Sequence, residues 1–265
     1  MGTVEYDAVA DNYDQRYKID AYKPEGLASK LLNLIAETGA KRVLEVGCGT
    51  GHWLSILQDQ TQAVGLDHSL GMLQKAAEKR GKFSLIQGDA LQLPFSDKSF
   101  DLVFCANALH HFKNPSAFIT GAYELLKDNG VLAVIGMNPH SLQDRWFIYD
   151  YFPGTLEDDL KRYPSPGTVT DWMISAGFKE IHWQIAEHIF YDRKGKEVLL
   201  LNKEFTSQLT LLSPEEYAKG RARIEADLNK AEKSGETLVF PVDISLSMVT
   251  GRIKDGSSKK EPLLG

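Results

Sequence analysis

Val43-Leu44-Glu45-Val46-Gly47-Cys48-Gly49-Thr50-Gly51 is an apolar run that breaks into three alternating glycines. Arg42 to Val46 carries β-branched residues and reads as a buried strand. His52-Trp53-Leu54-Ser55-Ile56-Leu57 then opens a helix. A glycine lacks a Cβ, so the turn can take positive φ and let a ligand come close to the backbone. The helix start aims its free N–H groups at whatever binds there, which suits an anionic group. Strand, glycine turn and helix form the opening unit of an α/β domain built on a mostly parallel sheet.

The spacing narrows the ligand. A dinucleotide fingerprint, G-x-G-x-x-G, would put its third glycine at position 52, where His52 stands. The chain reads E-x-G-x-G-x-G instead, with Glu45 two residues ahead of Gly47. Gln62 to Asp67 is a second strand that ends in an acid. Asp67 falls roughly 20 residues past the glycine turn, where a carboxylate can accept from both hydroxyls of a ribose. Ser69 caps a helix running through Met72 and Leu73 to Lys79. Phe83 to Gly88 is a third strand, followed by Asp89-Ala90-Leu91. Ser99 to Cys105 is a fourth, running into Ala106-Asn107-Ala108-Leu109-His110-His111-Phe112. A histidine at this edge can accept a proton from an attacking nucleophile, or one ring can pack under a ligand while the other lines a pocket.

Pro24 to Thr38 has leucines and an isoleucine at helical spacing, with Gly39 as the stop. Pro115 to Lys127 is amphipathic, Asp128-Asn129-Gly130 is a turn, and Val131 to Ile135 is a fifth strand. Residues 137–165 are irregular and aromatic, and are expected to form a lid-like insertion at the carboxyl edge of the sheet. A helix is expected over Thr168 to Ala176, a strand over Phe178 to Tyr191 and a leucine-rich helix over Lys194 to Leu212. Ser213-Pro214-Glu215-Glu216 starts a charged helix. Glu236 to Arg252 reads as a final strand, with Pro241 demanding an edge or a bulge. The domain reading is therefore an N-terminal cap and helix (1–40), the main domain (41–253) and a disordered tail (254–265).

The chain has 265 residues, 43% of them hydrophobic and 25% charged, enough for one large core. A net charge of -6 argues against a nucleic-acid partner. Cys48 and Cys105 lack metal-ligand spacing, so no metal is expected. No apolar run reaches ~18 residues and no leader pattern opens the chain, so a soluble, cytoplasmic protein without a membrane partner is expected. Oligomeric state is not legible.

The glycine motif, Asp67, Asp89-Ala90, the Asp101-to-Asn107 strand and the phrase Leu125-Leu126-Lys127-Asp128-Asn129-Gly130-Val131-Leu132 together resemble the class I S-adenosylmethionine-dependent methyltransferases. The opening Tyr6-Asp7-Ala8-Val9-Ala10-Asp11-Asn12-Tyr13-Asp14 is similar to the start of many small-molecule members. The likeness is to the branch with ubiquinone/menaquinone-biosynthesis and trans-aconitate methyltransferases. The resemblance implies a Rossmann-like, mostly parallel seven-stranded sheet with helices on both faces and an antiparallel last strand. It implies S-adenosylmethionine as donor and a small-molecule acceptor, methylated by in-line displacement on an O, N or C atom. It places Tyr13, Glu45, Gly47, Gly49, Gly51, Asp67, His68, Met72, Asp89, Ala90, Leu91 and Asn107 around the donor, and His110 and His111 as candidate bases. In that reading Tyr13, with Tyr17 or Tyr22, closes over the sulfonium or only pins the N-terminal segment. Met72 meets the adenine or is plain helix core. The quinone enzymes' E-F-S-K-P phrase is replaced by Met137-Asn138-Pro139-His140. No Asn-Pro-Pro-Tyr-like phrase follows the fourth strand, so nothing points to a nucleobase or peptide-amide acceptor. Two other readings share the opening unit: a non-catalytic S-adenosylmethionine-binding sensor, and an NAD-dependent oxidoreductase, which would require a glycine at position 52.

Overall fold

The computed structural model describes residues 6–14 and 25–253. Tyr17, Tyr22 and the 254–265 tail lie outside the described residues. Two helices, α1 (Tyr6–Tyr13) and α2 (Glu25–Thr38), precede the sheet. Then come β1 (Arg42–Val46), α3 (His52–Leu57), β2 (Gln62–Asp67), α4 (Leu70–Glu78), β3 (Ser84–Gln87) and β4 (Phe100–Ala106). The next group is α5 (Pro115–Leu125), β5 (Leu126–Met137), β6 (Arg145–Trp146), α6 (Phe147–Tyr151), α7 (Thr155–Arg162) and α8 (Pro166–Ala176). β7 (Lys179–Lys194), α9 (Ser207–Thr210), α10 (Pro214–Ser234) and β8 (Val239–Arg252) complete the fold.

β1 pairs in parallel with β2 on one side, Val43 opposite Ala63, and with β4 on the other, Val43 opposite Leu102. β3 extends the β2 side and β5 the β4 side, both in parallel. β8 runs antiparallel between β5 and β7. The chain reverses its direction of winding between β1 and β4. That reversal opens a crevice at their carboxyl ends, where ligands bind in sheets of this kind.

Period-two alternation builds the core. Leu102, Phe104 and Ala106 of β4 face a cluster holding Leu27, Leu31 and Ile35 of α2. Val103 and Cys105 face the opposite cluster with Phe118 and Ile119 of α5. Both faces of the sheet are therefore covered, as a parallel sheet requires. Caps fix the helix ends. Ser69 accepts from the Met72 N–H, Ser165 from the Thr168 N–H, and Ser213 and Glu216 form a capping box.

The structure departs from the sequence expectation in four places. The sheet has eight strands rather than seven. The additional one, β6, contributes two residues paired to Val242 and Asp243 of β8. The insertion expected to be irregular holds β6, α6 and α7. α5 stops at Leu125 and β5 begins at once, with Asn129 left-handed (φ 64) inside it. The helix expected over 194–212 is broken into 3-10 turns at Gly195–Leu200 and Lys203–Phe205 and the single turn α9. Leu199, Leu200 and Leu201 are consecutive, so no helical face can hold all three; Leu200 is 69% exposed and Leu201 4%. Thr206 then takes an extended backbone and caps the Leu209 N–H. Pro241 lies past the residues of β8 that pair with β5 and β6, so β8 is partnered there only by β7. A missing N–H is tolerated at such a local edge.

Candidate active site

The three glycines of the turn after β1 all have positive φ: 76° at Gly47, 51° at Gly49 and 71° at Gly51. The turn folds back over β2, where the Gly47 and Cys48 N–H groups both donate to the Leu66 carbonyl (2.8 and 3.1 Å). At Gly47 the chain passes so close to the β4 edge that a Cβ would stand 2.4 Å from that of Ala108.

Asp67, at the tip of β2, bridges the turn and the next helix. Its Oδ2 accepts from the Gly49 N–H (2.7 Å) and its Oδ1 from the Ser69 N–H (2.9 Å). Burial raises its pKa and these backbone bonds pull it back down. A carboxylate has about four acceptor sites, so these backbone bonds leave it capacity to accept from a ligand.

Glu45 sits beneath the turn with 1% exposure. Its Oε2 has no hydrogen-bond partner among the described residues. Burial first, and the nearby Asp67 charge second, push its carboxyl well above the usual range. A buried carboxyl with a free oxygen is poised to take a cation. The Cys48 thiol is pushed up by burial too, and that of Cys105 to about 12, so neither serves as a nucleophile.

α1 is seated against α4. Asp7 Oδ1 accepts from Ser69 Oγ (2.5 Å) and from the Gly71 N–H (2.8 Å). Asp14 pairs with Lys79 (3.0 Å) and accepts from the Thr50 hydroxyl. Tyr13 lies half-buried beside Gly49. Met72 is sealed in a cluster with Val9 and Ala10, packed by Tyr6 and Tyr13. It thus lies under α1 as helix core. His68 is exposed, and its backbone carbonyl accepts from Gln87. At the end of β3, exposed Asp89 accepts from the Leu91 N–H (2.9 Å), and Ala90 is buried between them. This turn is adjacent to Asp67, because β3 and β2 pair Gln87 with Asp67.

At the end of β4, Asn107 is left-handed (φ 52) and exposed, its N–H held by the Ile135 carbonyl. His111 Nε2 lies 2.6 Å from the Tyr6 hydroxyl. His110 stacks on Tyr163, with ring centroids 3.9 Å apart and planes inclined by 23°. Burial, then the neighbouring His111 and Arg162, lower its pKa well below the usual value, so its imidazole is neutral at neutral pH.

Tyr13, Asn107, His110 and His111 line one end of a cavity with about 1280 Å³ of empty space, counting the solvent at its mouth. Of the residues expected at the site, Tyr13, Asn107 and both histidines line this cavity, while Glu45, the three glycines and Asp67 lie at the neighbouring ends of β1 and β2 and are not part of its lining. His68 points to solvent and Met72 is covered. Ser207, Gln208 and Thr210 also line the cavity. Sequence reading missed them because it assigned their segment to a helix. Among the described residues no group of histidines, cysteines and acids is placed to hold a metal. No helix among them is long and apolar enough to cross a membrane.

Comparison with known proteins bears on this crevice. A family profile described as "Methyltransferase domain" matches residues 44–134. An uncharacterized protein of Methanocaldococcus jannaschii is 31% identical over 217 residues, covering 77% of this chain and 76% of that one. A malonyl-[acyl-carrier protein] O-methyltransferase of Legionella pneumophila is 30% identical over 146 residues, covering 52% of this chain and 51% of that one. The chain thus spans about half the length of that curated relative. Among solved structures, a protein of Anabaena variabilis provisionally assigned to methyl transfer in an antibiotic biosynthesis pathway superposes with a TM-score of 0.67. It is 20% identical, with 84% of this chain and 96% of that one covered, which bears on the fold alone.

Proposed function

The chain belongs to the class I S-adenosylmethionine-dependent methyltransferases, and from that premise we propose that it methylates a small-molecule acceptor in the cavity beside His110. The observation that carries the reading is the buried Glu45 Oε2, a carboxyl oxygen without a hydrogen-bond partner among the described residues, which suits the donor's ammonium group. Asp67, with acceptor sites to spare, suits a ribose diol. The Asp89-Ala90-Leu91 turn beside it suits an adenine edge, and Tyr13 and Asn107 flank the methionine end. Bound there, S-adenosylmethionine supplies a methyl group already activated by its sulfonium. The protein's part is to align the acceptor and exclude water, which in ideal cases supplies roughly 7–11 kcal/mol of the barrier. In this reading residues 137–165 act as a lid on one methyltransferase domain, and the protein is cytoplasmic.

Of the two histidines, His110 is the better placed to take a proton. Its ring is neutral and lines the cavity, and among the described residues no hydrogen bond engages it. His111 is held by Tyr6. An acceptor that enters as a carboxylate needs no base; a phenol, amine or carbon acid does. His110→Gln is expected to remove the acid limb of the pH–rate profile, whereas His111→Gln lowers the rate and keeps that limb. An unchanged profile in His110→Gln excludes it as the base.

A screen of cell metabolites with isotope-labelled donor, read by mass shift, tests the activity itself. Donor binding with no labelled product across the screen would leave a binding module instead of an enzyme. Asp67→Ala is expected to weaken donor binding by about 1–3 kcal/mol, since it leaves the diol unpaired and frees the Gly49 N–H. Titration calorimetry showing unchanged affinity would remove Asp67 from the site.

A further inference from the structure

Beneath the cavity lies a polar network that none of the motifs signals. Its centre is Asp159 on α7, fully buried. Asp159 Oδ1 pairs with Arg162 Nη2, and its Oδ2 accepts from the Tyr149 hydroxyl (2.8 Å) and from Gln208 Nε2 (2.8 Å). Arg162 Nη2 also reaches Ser207 Oγ (3.4 Å), which donates to Gln208 Oε1 (3.3 Å). The circuit has one sense. Turning the Gln208 amide over would set its carbonyl against the Asp159 carboxylate, so its NH₂ must face inward.

That NH₂ has two further contacts, the Tyr163 hydroxyl at 3.4 Å and the weaker acceptor Met137 Sδ at 4.0 Å. The Tyr163 oxygen therefore accepts from Gln208, which leaves its own O–H to donate. Among the described residues nothing accepts it. Burial raises the Tyr163 pKa, so the phenol stays protonated and remains a donor. The ring lines the cavity and stacks on His110, at the end where the methyl group is transferred. The walls are mixed: Met137, Trp146, Ile244 and Leu246 are apolar, while Arg193, Glu204, Thr206 and Thr210 bring polar groups.

We propose that Tyr163, its hydroxyl directed by Gln208 and Asp159, is the residue that selects and orients the acceptor, and that the acceptor is a molecule with an apolar portion and a hydrogen-bond-accepting oxygen close to the methylated atom. The proposal rests on the methyltransferase reading only for which end of the cavity is reactive. A carbonyl, phenolate or enolate oxygen meets the requirement. A hydrocarbon of the same shape does not, because it would strand a buried O–H.

Two probes of matched shape test this without knowledge of the natural acceptor: 2-acetylnaphthalene, and 2-isopropenylnaphthalene, which replaces the carbonyl oxygen with a methylene. Binding to the full chain is measured by ligand-observed NMR titration. The acetyl probe is expected to bind about tenfold more tightly than the alkene. In Tyr163→Phe the two are expected to bind alike, and in Gln208→Met the preference should shrink. S-adenosylmethionine affinity, by calorimetry, should not change in either variant. Equal binding of the two probes to the parent, no binding of either, or a preference that survives Tyr163→Phe would overturn the proposal. A protein that prefers the acetyl probe yet ignores S-adenosylmethionine would keep the orienting role of Tyr163 and overturn the donor assignment instead.

Discussion

Glu45→Gln is expected to bind S-adenosylmethionine roughly 10- to 150-fold more weakly than the parent, the range that follows from losing one charge-assisted hydrogen bond of about 1.5–3 kcal/mol. The substitution preserves shape and removes only the charge. Its effect on protons is as informative as its effect on affinity. In the free protein, burial and the Asp67 charge favour the neutral Glu45 carboxyl. A cation at Oε2 favours the carboxylate, so binding should expel a proton wherever the pH lies below the raised value of the free protein. Calorimetry in buffers of different ionisation enthalpy reads that proton directly, and Glu45→Gln should abolish it. The sign carries over to folding. A carboxyl whose folded pKa is raised binds its proton more tightly in the folded state than in the unfolded one. Its contribution to stability therefore falls as pH rises from about 4.5 through the folded value. The free parent should lose stability over that window relative to Glu45→Gln, and donor should restore it. A parent that binds donor with no proton released would remove Glu45 as the cation's partner.

The proposed donor half of the site can be read from sequence because its chemistry is local. Glu45, Gly47, Gly49, Gly51 and Asp67 owe their proposed roles to a strand end and the few residues after it, and a strand end can be read from one stretch of sequence. The order of the sheet follows from the same short units repeated. The acceptor half is different. Asp159, Tyr163 and Gln208 meet from α7, the segment after it and α9, with separations of up to 49 residues. No spacing rule joins them. Asp159 reads in sequence as one more acid of a polar helix, Thr155–Arg162, and only its full burial distinguishes it. Gln208 was hidden by the helix expected over 194–212. There the composition was helical, but three adjacent leucines and an extended Thr206 broke the period. Met72 had two open readings in sequence. The seat of α1 on α4 through Asp7 places it in the core, a contact between residues 64 positions apart at Gly71.

Gly47→Ala should cost more stability than any other single methyl added to the glycine turn. Two separate strains act at this position. A φ of 76° puts a Cβ against the following carbonyl, at about 1–2 kcal/mol. The same Cβ would stand 2.4 Å from the Ala108 Cβ, so the β1 turn and the β4 edge must separate, at a further 1–3 kcal/mol or so. Gly39 separates the two contributions. Its φ is 64°, but a Cβ there meets nothing within 4 Å. Gly39→Ala should therefore cost only the backbone part, about 1–2 kcal/mol. For a chain of this size each kcal/mol moves the melting temperature by roughly 2–4 °C. Gly47→Ala is thus expected to melt roughly 4–20 °C below the parent, and Gly39→Ala roughly 2–8 °C below. The functional consequence follows from the same displacement. Ala108 lies between Asn107 and His110, so moving it away from the turn shifts the donor and acceptor ends of the crevice apart. Methyl transfer should fall further than donor affinity does, because a transfer along one line tolerates less displacement than binding. Equal melting temperatures for the two alanine variants would show that the turn and the β4 edge are not packed as described, and with them would go the close approach that joins the two halves of the site.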